Sequence, residues 1–226
     1  MDRIDSFLTL NQRIVRCKKC PRLYSYIRAV AKNKVKRFVN EQYWGKPLTG
    51  FGDLNAELLI VGLAPAAHGG NRTGRMFTGD SSGDWLARAL YEFGFATKPT
   101  SERINDGFQL MNTYITASVR CAPPENKPLR EERDNCFTYL REELELLGNV
   151  RVIICLGKIA FDSCSRLLGI RDKFSHGKVI SHEKFDIICS YHPSRQNTQT
   201  GRLRWDQWSE IFSISKALLD RNKREL

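Results

Sequence analysis

Four short apolar runs, each ending in a polar or glycine-rich turn and each separated from the next by helical periodicity, constrain this chain's fold more than any other feature. The runs are "ELLIVGL" (57–63), "NTYITASV" (112–119), "VRVIICLG" (150–157) and "FDIICSY" (185–191). Helical patterns follow them: "SGDWLARALYEFG" opening after Ser82, "PLREERDNCFTYLREELELL" from about Pro128, "KIAFDSCSRLLG" after Gly157, and "RWDQWSEIFSISKALLDRN" near the end. Such alternation implies right-handed crossovers and a mostly parallel sheet covered on both faces, so the predicted class is α/β. With 226 residues the chain is long enough to bury one sizeable core, and residues 1–226 read as a single domain. Up to about residue 50 no strand pattern occurs, which predicts a helical, basic N-terminal segment.

Charge narrows the range of partners. The formal net charge is +11, and between Ser6 and Asn40 the chain has ten Lys or Arg residues and no acid. Clustered cations are rewarded when they displace the counterions of a polyanion, which points to nucleic acid. No apolar stretch approaches the roughly 20 residues that span a bilayer. The N-terminus "MDRIDSFLTLNQRIVRC" lacks the apolar core of a secretory signal. A cytoplasmic protein with no membrane partner is expected, and a monomer.

Seven cysteines in such a chain do not predict a disulfide framework, because cytosolic thiols stay reduced. Cys155, Cys164 and Cys189 sit inside apolar periodic segments and read as core. Cys17 and Cys20 form a C-x-x-C in a basic loop, while Cys121 and Cys136 lie 15 residues apart. Four thiolates from two distant segments match a tetrahedral zinc site or an iron–sulfur cluster. A redox dithiol at Cys17 and Cys20 competes, although no strand precedes it to make the expected βαβ context.

In open parallel sheets, ligands bind beyond the carboxyl ends of the strands. Every unusual stretch here follows a strand: "GLAPAAHGG" the first, "RCAPPENKP" the second, "YHPSRQNTQTGR" the fourth. His68, Asp80, Asn126 and His192 are thereby predicted to converge on one edge. Gly69 to Gly74 has P-loop spacing, but Arg75 and Met76 replace the required Lys and hydroxyl, which disfavours nucleotide hydrolysis. Phe77 offers a face for stacking, or else is a core aromatic. Asp80 also reads as an N-cap ahead of "SGDWL", and His192 as a strand-end histidine satisfied by backbone.

Taken together, "GLAPAAHGGNRTGRMFTGDSSGDWL", "YHPS" and the spacing of Cys17, Cys20, Cys121 and Cys136 resemble the family 5 (type B) uracil-DNA glycosylases of archaea and thermophilic bacteria. The resemblance runs from the first cysteine pair to about Leu203. It implies a three-layer α/β/α fold with a four-stranded sheet, a structural 4Fe–4S cluster on the four cysteines, and excision of uracil and other deaminated bases from DNA. By position it implies that Gly62, Ala64, Pro65 and Ala66 border the extruded base. Phe77 stacks on that base, Asn126 bonds its edge, Asp80 acts in catalysis, and His192 with Ser194 forms the second motif near the base carbonyl. Leu63 stands where family 4 carries an acid, and Ala117 where it carries an Asn. The first leaves the usual water-activating or cation-stabilising group missing, so another residue must act; the second fits a broader range of bases.

The chemistry makes the same demands. Cleaving an N-glycosidic bond puts positive charge on the sugar and negative charge on the departing base, so an anion is needed near the first and donors near the second. Asp80 meets the first need, and His192 and Asn126 the second. The loop after His192 suits the vacated stack and the phosphates, with Arg195, Gln196, Asn197 and Arg202 as candidates. Arg72 and Arg75 add charge next to it, and His68 braces the loop or lies near a phosphate. No lysine falls in the motifs where a Schiff-base nucleophile is expected, so the reading is a monofunctional enzyme acting on double- and single-stranded DNA. The alternative is a non-catalytic nucleic-acid-binding module with a structural zinc.

Overall fold

The computed structural model describes residues 2–224, with side chains to residue 221. Four strands are buried along their whole length: β2 (Leu58–Gly62), β3 (Thr113–Ala117), β4 (Val152–Leu156) and, after its first residue, β6 (Phe185–Ser190). They pair in parallel, in the order β3-β2-β4-β6. Two strands beyond the expected four extend this sheet, both antiparallel: β1 (Phe51–Gly52) beside β3 and β5 (Val179–His182) beside β6. Neither carries an apolar run. β1 has two residues, and β5 alternates between exposed and half-buried positions, as an edge strand does.

Strand periodicity of two distributes the core between the faces. Leu58, Ile60, Val152, Ile154 and Ile188 pack under α4 (Ser81–Glu92) and α8 (Trp205–Arg224), meeting Leu86, Leu90, Trp208 and Phe212. Their neighbours Leu59, Val61, Ile153 and Ile187 point the other way. There they meet α1 (Arg3–Val15), α5 (Arg130–Leu146) and α6 (Lys158–Leu168) through Phe7, Leu140 and Phe161. Cys155, Cys164 and Cys189 belong to this second layer, buried as expected. The expected helical N-terminal segment contains α1 and α2 (Pro21–Lys32), with Phe7 of α1 in the sheet core.

A buried network ties β3 to α5. Arg120 and Glu143, each 1% exposed, pair at 2.5 Å, and the Thr116 hydroxyl donates to Glu143 Oε2 at 2.6 Å. Nothing in the local pattern around Glu143, on a helix rich in exposed acids, distinguishes it from its neighbours. Two short helices, α3 (Gly70–Thr73) and α7 (Arg195–Gln199), lie within stretches read as loops.

The chain leaves β2 for β3 on one side and returns to β4 on the other. Beyond the carboxyl ends of β2 and β4 the connections therefore diverge and open a crevice.

Candidate active site

That crevice is a cleft of about 570 Å³. The segment after β2 supplies one wall, with Leu63, Ala64, Pro65 and Ala66 in its lining. Gly62 lies against the edge of the Phe77 ring, and a Cβ there would stand 2.7 Å from Phe77 Cε2 and Cζ. Glycine is what lets the ring sit so low over the strand end. Phe77 adopts φ 48°, a left-handed conformation costing a bulky residue about 1–3 kcal/mol, and its ring lies 5.7 Å from that of His192 at 28°. Phe77 is half-buried in the cleft lining.

Asp80 both caps a helix and faces the cleft. Its Oδ1 accepts hydrogen bonds from the backbone N–H groups of Ser82 and Gly83, both at 3.0 Å, and so caps α4. Its Oδ2 turns toward Gly69, where an added Cβ would lie 1.9 Å away, and accepts no hydrogen bond from the described residues. Burial raises the carboxyl's pKa, opposed by the two N–H donors. A carboxylate held by a helix N-terminus with one oxygen left over can orient a water or face a developing cation.

Opposite stands His192, just beyond the end of β6. Burial pushes it down to about 4, so the ring is neutral at physiological pH. Gly157, directly after β4 at φ 91°, lies beside His192, whose Cβ would be 3.6 Å from a Cβ added there, and Asn197 donates to the His192 carbonyl at 2.8 Å. The "CAPPEN" turn brings Asn126 to the same cleft, exposed and at φ 57°, after Glu125 at φ 53°. Of the five described non-glycine residues with positive φ, only Phe77 and Glu125 are not Asn, the type that tolerates this region, and both line the cleft. Strain is concentrated where side chains must be aimed.

Other site predictions divide. Ser194, Arg195 and Gln196 line the cleft, and Arg195 Nε donates to Ser81 Oγ at 3.2 Å. Arg202 is exposed with its guanidinium over the Tyr191 ring at 4.5 Å. Arg72 and Arg75, expected to face DNA, are largely buried and already paired, although Arg72 still lines a trough beside the cleft. Arg75 is 9% exposed and donates to Asp106 at 2.9 Å and Ser101 at 2.9 Å. Arg72, 8% exposed, pairs with Glu41, donates to the carbonyls of His68 at 2.7 Å and Gly79 at 2.8 Å, and stacks on Phe38. These contacts hold the shape of the loop. Asn197, half-buried, donates one amide hydrogen to the His192 carbonyl and keeps its second N–H and its oxygen.

His68 bonds the Tyr43 hydroxyl at 3.0 Å and lines an adjoining trough of about 1070 Å³ that shares Asp80, Asn126 and Arg195 with the cleft. Sequence reasoning passed over Ser81, Ser82 and Lys127, which also line the cleft. Lys127 lies 3.3 Å from Glu125. Its position directly after Asn126 was the available signal.

The four spaced cysteines draw toward one place. Cys121 and Cys136 share an apolar cluster with Leu23, Ile27 and Val119, Cys20 packs against it, and Cys17 packs against Ile14 and Tyr139. Burial, then repulsion from the thiolates of Cys136, Cys17 and Cys20, raises the Cys121 pKa strongly, and burial brings Cys136 to about 11. Among the described residues no three His, Cys, Asp or Glu side chains stand close enough to hold a metal ion. Nor, among them, is any helix long and apolar enough to cross a membrane.

Residues 49–213 match the family described as the uracil DNA glycosylase superfamily. A type-5 uracil-DNA glycosylase of Pyrobaculum aerophilum is 46% identical over 206 residues, covering 91% of this chain and 90% of the relative. One from Thermus thermophilus is 44% identical over 92% of this chain and 95% of its own length. A type-4 uracil-DNA glycosylase of Pyrobaculum aerophilum is more distant, 30% identical over 82% of this chain and 81% of its own.

Proposed function

We propose, from the premise that this chain belongs to the uracil-DNA glycosylase superfamily and is a uracil-DNA glycosylase, that it removes uracil and other deaminated bases from DNA by extruding the nucleotide into the cleft between Phe77 and Asn126. One observation carries the reading: Phe77, Asp80, Asn126 and His192, scattered along the sequence, line a single cleft. Only an extruded base reaches a concave site of this kind, and extrusion costs a few kcal/mol, least for a mispaired base.

The Phe77 ring gives the base a stacking surface, worth about 1–3 kcal/mol. Asn126 presents both a donor and an acceptor to the base edge. Neutral His192 donates an N–H toward the base carbonyl, where negative charge gathers as the bond breaks, and such a donor contributes about 3 kcal/mol. Ionised Asp80, fixed through Oδ1, uses Oδ2 to orient the attacking water or to face the sugar's positive charge. Leu63, Ala64, Pro65 and Ala66 bring no side-chain hydrogen-bonding group to the wall, which supports a broad range of bases. The chemistry leaves an abasic site without strand cleavage, Lys127 being an exposed amine paired with Glu125.

Cys17, Cys20, Cys121 and Cys136 would hold a 4Fe–4S cluster. Four thiols from two distant segments, gathered at neighbouring apolar clusters, are the donor set such a cluster takes. When bound, the cluster would supply cationic charge that offsets four thiolates, and Cys17, Cys20, Cys121 and Cys136 would through it tie the N-terminal segment to the "CAPP" loop. Brown protein with iron and sulfide supports this reading. Colourless protein with one zinc overturns it.

The test of activity is a uracil-containing duplex treated with enzyme and then alkali. Strand breaks only after alkali are expected. An alkali-resistant strand refutes the reading, and parallel reactions on hypoxanthine and xanthine measure the base range.

A further inference from the structure

The acid-free run near the N-terminus contributes to a second concavity that the glycosylase chemistry does not use. It has a volume of about 810 Å³ and is lined by Arg16, Lys18, Arg28, Lys32 and Lys46, with no acid in the lining. None of the five forms an ion pair among the described residues, whereas exposed cations elsewhere do: Arg13 with Glu142, Arg88 with Glu92, Arg166 with Asp134. Five unpaired like charges around one hollow repel each other, and an anion seated there relieves the repulsion.

Two half-buried aromatic rings interleave with these cations. Lys18 Nζ and the Arg28 guanidinium lie over the Tyr24 ring at 5.7 and 5.4 Å, and Lys46 Nζ lies over Trp44 at 5.2 Å. The Trp44 indole N–H is already bonded to the Pro47 carbonyl at 3.2 Å, so the ring offers its face rather than its edge. Cations that rest on a ring can swing onto a phosphate and leave the face free for a base. Cations with stacking surfaces in a concave groove are how proteins hold single-stranded nucleic acid.

The placement suits the same substrate. On α2, Tyr24, Arg28 and Lys32 face this groove, while Tyr26 lines the trough that adjoins the catalytic cleft. The next segment divides in the same way, with Tyr43 bonded to His68 of the trough and Trp44 lining the groove. The two concavities lie on opposite flanks of α2.

We infer that this groove is a second DNA site, one that holds an undamaged single strand away from the extruded nucleotide through Arg28, Lys46 and their neighbours with bases on Tyr24 and Trp44. It goes beyond the proposed reaction and takes from it only that the nucleic acid is DNA. The test uses the full chain, a fluorescein-labelled thymidine oligonucleotide free of uracil, and anisotropy titrations from about 50 to 200 mM salt. In R28A/K46A the affinity falls, and the slope of log K against log salt becomes shallower by about 1.4, from two phosphate contacts at about 0.7 each. Tyr24→Leu weakens binding with the slope unchanged. Single-turnover excision on a short uracil oligonucleotide at saturating enzyme keeps its rate in all of these variants.

Unchanged affinity and slope in R28A/K46A overturn the site. An equal loss on duplex of the same length overturns its assignment to single strands. If the parent protein binds the oligonucleotide through these residues yet excises no uracil, the proposed function fails and the groove stands.

Discussion

Asp80→Asn separates the two roles that the structure gives one carboxylate. The amide oxygen of Asn can take the place of Oδ1 and accept from Ser82 and Gly83, both now at 3.0 Å, and Asn caps helices about as well as Asp. The folded-state pKa of Asp80 is raised, mainly by burial, so ionising it costs more in the native state than in the unfolded chain. Exchanging it for a neutral isostere therefore removes a penalty, and the melting temperature should not fall. Activity should respond in the opposite direction, because the atom replacing Oδ2 is an NH₂ that can neither accept a water proton nor face a cation. A fixed electrostatic group of this kind contributes about 3–4 kcal/mol, so single-turnover excision should slow about 100- to 1000-fold. Asp80→Ala should lose both functions: a similar rate defect and about 1 kcal/mol of cap energy, or roughly 2–4 °C. Calorimetry and alkali cleavage of a uracil oligonucleotide read the two effects separately. An Asp80→Asn enzyme with the parent rate would show that the residue is a cap and nothing more.

Other outcomes follow from the same geometry. Gly62→Ala drives a Cβ into the Phe77 ring and should remove about 1–3 kcal/mol of base stacking from kcat/KM; an unchanged kcat/KM refutes Phe77 as the stacking surface. With His192 held near 4 by burial, excision between about pH 6 and 8 should show no histidine inflection, and the acid limb should come from Asp80, lost as pH falls through its raised pKa. An inflection near 6.5 that vanishes in His192→Asn contradicts this. Glu143→Ala leaves Arg120 charged and buried and should cost about 3–5 kcal/mol, a drop of about 6–20 °C in Tm. A Tm within roughly 2 °C of the parent, the size of effect a surface substitution has, removes the network from the account of stability.

The sequence alone settled the four parallel strands, the helices between them and the burial of Cys155, Cys164 and Cys189. A strand covered on both faces must be apolar throughout, and such a run is visible in five residues; a helix stripe is equally local. The site's outline was legible for the same reason, because loops after parallel strands share one rim, which is where Phe77, Asp80, Asn126 and His192 meet. Tertiary structure alone decided which charges remain free. Arg72 and Arg75 look no different from Arg195 in the sequence, yet their partners Glu41 and Asp106 lie 31 residues away along the chain, and pairing with them withdraws both arginines from solvent. Burial and ion pairing depend on neighbours brought together through space, and short-range periodicity carries no record of them.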